Sequence, residues 1–154
     1  MKRNNSDVYS KVERRHFIRH SMCIPLSYNI SHDKGKEGLS ATVNISRGGL
    51  LFSAKKPAPI NTRIIVKMPF QQKTFKIRAR VIHCVRTTET GLYNIGICFE
   101  KFSDAFKVKL IEQMYLILEY RDLRSIQLGK DISLQQASKE WIKRYSERFK
   151  RLYW

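Results

Sequence analysis

The chain has 154 residues, 30 Lys and Arg against 13 Asp and Glu, a formal net charge of +17 and 42% hydrophobic residues. That is enough apolar mass for one core, so wholesale disorder is excluded, and the length allows one domain with a helical appendage. The densest apolar run, Met114–Leu118, falls far short of the roughly 20 residues that span a bilayer, and the start, MKRNNSDVYSKVERRHF, lacks the apolar centre of a secretory signal.

The three cysteines, Cys23, Cys84 and Cys98, are odd in number and far apart, which fits neither a disulfide framework nor a metal site. They read as small core residues in a reducing, cytoplasmic protein.

Residues 1–12 are polar and unpatterned and read as a flexible arm. Residues 13–20 are basic around the apolar pair Phe17-Ile18. Met22–Ile30 is a predicted strand, and Ser31–Gly38 a loop. Leu39, Ala41, Val43 and Ile45 alternate with Ser40, Thr42 and Asn44, the period of a half-buried strand. Ser46-Arg47-Gly48-Gly49 is a turn, Leu50–Phe52 resumes a strand, and Pro57 and Pro59 break the chain.

Thr62–Phe70 and Thr74–Arg86 form the next pair of strands, with Phe75, Ile77, Ala79 and Val81 alternating with Lys76, Arg78 and Arg80. Thr87–Thr90 is a polar turn, and Tyr93, Ile95, Ile97 and Phe99 mark a last strand. Six short strands between turn signals predict a small antiparallel barrel or sandwich.

The period then changes. Phe106, Leu110, Ile111, Met114, Ile117 and Leu118 recur at helical spacing, with Ser103 or Asp104 as N-cap. A polar stretch leads to Gly129 as a stop signal. Ser133 and Gln136 form a capping box for a second helix, whose stripe is Leu134, Ala137, Trp141, Tyr145, Phe149 and Leu152. The expected layout is an arm over 1–12, a β-barrel over 13–103 and a helical extension over 104–154. There is no internal repeat.

The basic surplus runs along the whole chain, which favours polyanions without naming one. Two short motifs are more specific. Arg14-Arg15-His16-Phe17-Ile18-Arg19 contains the spacing R-x-x-x-R, and Asn44-Ile45-Ser46-Arg47-Gly48-Gly49 contains N-x-S-x-x-G. Arginine offers a planar fork of donors that matches phosphate oxygens or the O6/N7 edge of guanine. Asn and Ser at a strand end add short hydrogen-bonding groups, and Gly49 allows a tight turn and close approach of a planar ligand. The set suits a small ligand carrying both phosphates and guanine edges. It suits a long duplex less, because no helix or ribbon carries base-reading residues in series.

The two motifs together resemble those of the PilZ domain, the bacterial receptor family for cyclic di-GMP. Arg15 and Arg19 match R-x-x-x-R, and Arg14 matches the basic residue that often precedes it. Asn44, Ser46 and Gly49 match [D/N]-x-S-x-x-G, and Gly96-Ile97-Cys98-Phe99 resembles the family's closing strand. The resemblance covers roughly residues 13–103. It implies a six-stranded antiparallel β-barrel with an adjoining helix, and a receptor rather than an enzyme. It implies that Arg14, Arg15, Arg19, Asn44, Ser46, Gly48 and Gly49 bind cyclic di-GMP, often as an intercalated dimer. It further implies that the arm folds over the ligand as the output signal.

No Ser-His-Asp order, paired carboxylates or phosphate-cradling GxxxxGK is present, and the four histidines have no metal-ligand spacing. His83 lies near where the family often lines its guanine site, though a surface or rim position is the simpler reading. Arg47 reads as a surface charge.

The aromatic stripe of the tail (Trp141, Tyr145, Phe149, Tyr153, Trp154) is too apolar for water. It predicts folding back on the barrel, docking on a protein partner or a second copy, or lying on an anionic membrane surface. Two rivals to the receptor are a ligand-independent adaptor acting through these helices and a non-specific nucleic-acid binder. No specific nucleic-acid partner and no transmembrane segment are expected.

Overall fold

The computed structural model describes residues 20–31 and 37–153. Arg14, Arg15 and Arg19, the arm over residues 1–12, and most of the Ser31–Gly38 loop lie outside the described residues. Seven strands appear: β1 (His20–Ser21), β2 (Pro25–Ile30), β3 (Gly38–Ile45), β4 (Gly49–Ala54), β5 (Arg63–Phe70), β6 (Lys73–Arg86) and β7 (Tyr93–Phe99). Two helices follow, α1 (Phe102–Leu128) and α2 (Leu134–Tyr153). Among the described residues no helix is long and apolar enough to cross a membrane.

The sheet runs β3-β2-β5-β6-β7-β4, and β4 pairs again with β3, so six antiparallel strands close into a barrel. Closure leaves no long free edge. Ile77, Val81, Ile95 and Ile97, which the alternation picked out, are buried, as are Phe52 and Val66. On β3 the expectation needs correction: Leu39 is 84% and Val43 44% exposed while Thr42 is buried, because a bulge between Thr42 and Asn44 shifts the register and only Ile45 of the apolar set is buried.

The expected first strand, Met22–Ile30, is interrupted. β1 pairs with the last two residues of β3, and β2 with its first half. Between them a side chain stands in for the ladder. Thr42 Oγ1 accepts the Ile24 N–H at 2.8 Å and donates to the Met22 carbonyl. Thr42 is buried because these bonds satisfy its hydroxyl.

β6 is 14 residues long and serves two neighbours. Its register with β7 begins at Ala79↔Phe99 and shifts between Val81 and His83. That bulge turns Ile82 outward and lets Cys84 reach the core. The cysteine expectation needs correction, since Cys23 and Cys98 are exposed. Cys98 alternates with the buried Ile97 and Phe99 and so points out.

Where β7 has ended, α1 covers the remaining flank of β6. Asp104 Oδ1 accepts the Arg78 N–H at 3.2 Å, and Lys107 Nζ donates to the Lys76 carbonyl at 3.3 Å. Val108 and Ile111 join the barrel core. Asp104 therefore docks the helix rather than capping it. The N-cap is Lys101, extended and without a side-chain cap bond, which corrects the assignment to Ser103 or Asp104.

α1 also runs on through Tyr120–Leu128, because that stretch is polar but contains no Gly or Pro to stop a helix. It ends at Gly129, whose left-handed φ of 68° lets its N–H bond back to Ile126 and Ser125. α2 begins with half of the expected box, as the Gln136 N–H donates to Ser133 Oγ at 3.1 Å. The Gln136 side chain turns instead to Glu140.

α2 folds back on α1. Trp141, Phe149, Ala137, Ile117 and Ile132 form a second core, with Leu116, Tyr120 and Leu134 against it. Two members of the aromatic stripe, Trp141 and Phe149, are thus covered in the helical hairpin rather than on the barrel, whereas Tyr145 is exposed and the side chains of Tyr153 and Trp154 lie outside the described residues. Trp141 is 5% exposed and Phe149 4%.

Candidate functional site

The second motif sits where β3 turns into β4. The Ser46 N–H donates to the Gly49 carbonyl at 2.8 Å, and Ser46 Oγ accepts the N–H groups of Gly48 and Gly49, each at 3.3 Å. The serine therefore builds the turn as well as facing its surroundings. The Gly48 carbonyl accepts the Phe99 N–H at 2.9 Å, which ties the turn to β7.

Gly49 is required for a reason the sequence did not show. A Cβ there would lie 1.9 Å from the Ile97 carbonyl oxygen, so β7 approaches the backbone too closely for any side chain. Neither Gly48 nor Gly49 has a positive φ. The constraint is steric, and it comes from the barrel.

The register sets two outward rows next to this turn. One runs Asn44, Leu51, Gly96, His83 across β3, β4, β7 and β6. A Cβ on Gly96 would lie 3.0 Å from His83 Cβ and 3.8 Å from Leu51 Cδ1, so the glycine keeps this shelf shallow. The other row runs Gly49, Cys98, Arg80, Arg63. The polar groups of both rows face outward on a sheet, an arrangement open to a flat ligand. Leu51, Gly96 and Cys98 were not singled out as site residues, and only the strand register could have gathered them.

At the other end of the motif, β1 pairs His20 with Ile45 and Ser21 with Asn44. Arg19 is the residue before His20 in the chain.

Beside the turn lies a buried ion pair that sequence reasoning missed. Lys109 Nζ is 3.4 Å from the Glu112 carboxylate, and the two side chains are 1% and 0% exposed. They are adjacent on α1 at i, i+3, yet a lysine and a glutamate in a helix are ordinarily solvated. Burial lowers the Lys109 ammonium from its usual 10.5. The charge of Glu112 and its hydrogen bond oppose this, while the positive charge of Arg47 adds to it.

Among the described residues no cluster of three or more His, Cys, Asp and Glu could hold a metal ion.

With this geometry in view, the chain belongs to the PilZ family, whose domain model matches residues 13–116. MrkH of K. pneumonia, solved as a complex with c-di-GMP, superposes with a TM-score of 0.51 at 20% identity, covering 70% of this chain and 53% of MrkH. YcgR of Escherichia coli, also solved in complex with c-di-GMP, gives 0.51 at 16% identity, covering 75% of this chain and 50% of YcgR. The PilZ domain of CeSA from a cellulose-synthesizing bacterium gives 0.46 at 17% identity, covering 59% and 90%. The chain therefore spans about half the length of the MrkH and YcgR chains. No curated protein matches the sequence.

Proposed function

We propose that this protein is a cytoplasmic receptor for cyclic di-GMP that performs no chemistry on its ligand. Arg14, Arg15 and Arg19 supply forks for phosphates and guanine edges. Asn44 and Ser46 hydrogen-bond the ligand edge, and Gly48 and Gly49 keep the turn close to it.

What supports the reading is the pairing of His20 with Ile45 and Ser21 with Asn44. The chain that carries the arginine motif enters the barrel alongside the Asn44–Gly49 turn, although some 25 residues separate the two in sequence. Family membership and the two relatives solved with c-di-GMP add to it. Binding orders residues 1–20 over the turn and changes how the protein meets a partner or a second copy through its C-terminal helices.

The test is isothermal titration with cyclic di-GMP at physiological salt, with GTP and a short single-stranded DNA as controls. Saturable micromolar binding of the cyclic dinucleotide, unmatched by GTP and far less salt-sensitive than any binding of the DNA, is the expected result. Arg15→Ala and Arg19→Ala should each weaken it by one to two decades, since a charge-assisted contact contributes roughly 1.5–3 kcal/mol. Parent-like affinity in both variants sinks the site assignment. Equal, salt-sensitive binding of all three ligands sinks the receptor.

A further inference from the structure

The outer face of the β5–β6 hairpin repeats one charge. The antiparallel register sets Arg63 opposite Arg80 and Lys67 opposite Lys76, with Arg78 between them, opposite Ile65. Like charges directly opposite on one face of a sheet destabilise it. Two carboxylates relieve the β5 side only. Glu37 Oε1 lies 2.5 Å from Lys67 Nζ, and Glu100 Oε1 lies 3.7 Å from Arg63 Nε.

On the β6 side Arg80 donates to the Asn61 carbonyl at 2.8 Å, which leaves its charge uncompensated. Lys107 of α1 adds another ammonium over the Lys76 carbonyl. Among the described residues no carboxylate pairs with Lys76, Arg78 or Lys107. A sheet that keeps directly opposed cations, where neutral residues would pair better, is shaped by something outside itself.

The spacing narrows what that is. Cations on one strand face are two residues apart, about 6.6–6.8 Å, and opposed cations stand roughly 5 Å apart across the strands. Only Ile65, Pro69 and Thr74 lie among them on the outward positions of β5 and β6, so the two strands carry no aromatic anchor there. Protein interfaces take most of their energy from a few buried anchors of that kind. A phosphate backbone asks only for regularly placed positive charge.

We propose that this outer face of β5 and β6, extended by Lys107, docks the phosphate backbone of a nucleic acid without reading its sequence. The face meets the Gly49 row at Arg80 and Arg63, but Lys76, Arg78 and Lys107, on which the test rests, lie outside both motifs and outside that row, so their substitution leaves dinucleotide binding as a separate readout.

The test is fluorescence anisotropy of a 20-base-pair DNA duplex with the full chain across a salt series. The parent should bind at physiological salt, with log K falling linearly against log salt. In Lys76→Gln/Arg78→Gln that slope should become shallower by about two, and Lys107→Gln alone should reduce it by about one. Lys76 and Arg78 are exposed, so the fold should survive, and an unchanged or higher melting temperature checks this.

An unchanged slope in the double variant would move the binding to charges elsewhere and overturn the proposal. Absence of duplex binding by the parent at physiological salt would do the same. Poly-glutamate binding as tightly as the duplex would also overturn it, assigning the face to an acidic protein.

Discussion

The barrel and the helical hairpin solve the same problem of burial in opposite ways. The barrel is a closed ring whose core is apolar from Ile24 to Phe99 and has no long unpaired edge. The hairpin has a small core centred on Trp141 and Phe149, and its rim is held by a polar clamp. Glu140 accepts from the Tyr120 hydroxyl at 2.7 Å and lies 3.4 Å from Arg124 Nε. α1 belongs to both units, with Val108 and Ile111 in one core and Ile117 in the other. Stability in the barrel is therefore distributed, whereas in the hairpin it rests on a few side chains.

Truncating one aromatic residue in each core should sharpen that contrast most. Phe52→Ala and Trp141→Ala each remove a buried aromatic side chain, a loss of about 3–5 kcal/mol at such sites. Phe52→Ala should lower amide protection throughout the barrel. Trp141→Ala should open α2 and the end of α1 while the strands keep their protection, as read by hydrogen exchange. Equal loss of protection in both regions for both variants would show one cooperative unit.

The buried Lys109–Glu112 pair tests the joint between them. Glu112→Gln removes the carboxylate 3.4 Å from the buried ammonium and should cost about 3–5 kcal/mol, whereas Lys109→Met/Glu112→Leu, which removes both charges together, should cost less than Glu112→Gln. Because the folded state holds the Lys109 proton less tightly than the unfolded chain, whose value is the usual 10.5, the unfolded state binds more protons between the lowered folded value and 10.5. Parent stability should therefore rise with pH through that window, and this rise should vanish in the double variant. Denaturant midpoints across alkaline pH would measure it.

Gly49→Ala comes next. Its Cβ meets the Ile97 carbonyl, so β4 and β7 must separate locally, at about 1–3 kcal/mol. A lowered melting temperature without any nucleotide present is the expected sign that this motif glycine serves the barrel. An unchanged one would return it to a purely ligand-facing role.

Tyr120→Phe should have the smallest effect. The Tyr120 hydrogen bond is the main cause that lowers the Glu140 carboxyl below its usual 4.5, against the opposing effect of desolvation, and Gln136, Arg124 and Arg144 also lower it. The clamp contributes above 4.5 and is lost as pH falls through the lowered value. In Tyr120→Phe the hairpin's acid transition should shift upward and that of the barrel stay in place, measured by near-UV signal against strand protection.

The alternation of Phe75 to Val81 and of Tyr93 to Phe99 was legible because each residue reports its own face; the helical period from Phe106 onward gave α1 but not its buried side, since Phe106 and Leu110 are exposed while Lys109 and Glu112 are buried. Features that depend on a distant partner were not. The break between β1 and β2 is stitched by Thr42, 18 residues beyond Ile24. Asp104 is occupied by Arg78, 26 residues away. Cys98 faces out although its neighbours are apolar. At the candidate site the motif spacing located the turn, but only the register gathered Leu51, Gly96 and His83 around Asn44.

The sharing of α1 also carries a consequence for how fast each unit forms. Barrel closure joins Gly49 to Cys98 and Thr42 to Phe52 across long and short loops at once, and non-local pairing of this kind folds in milliseconds to seconds. The hairpin joins neighbours in sequence and assembles in microseconds to milliseconds. The hairpin half of α1 should therefore form before the sheet closes over Val108 and Ile111, an order that pulsed hydrogen exchange would read as helix protection preceding strand protection.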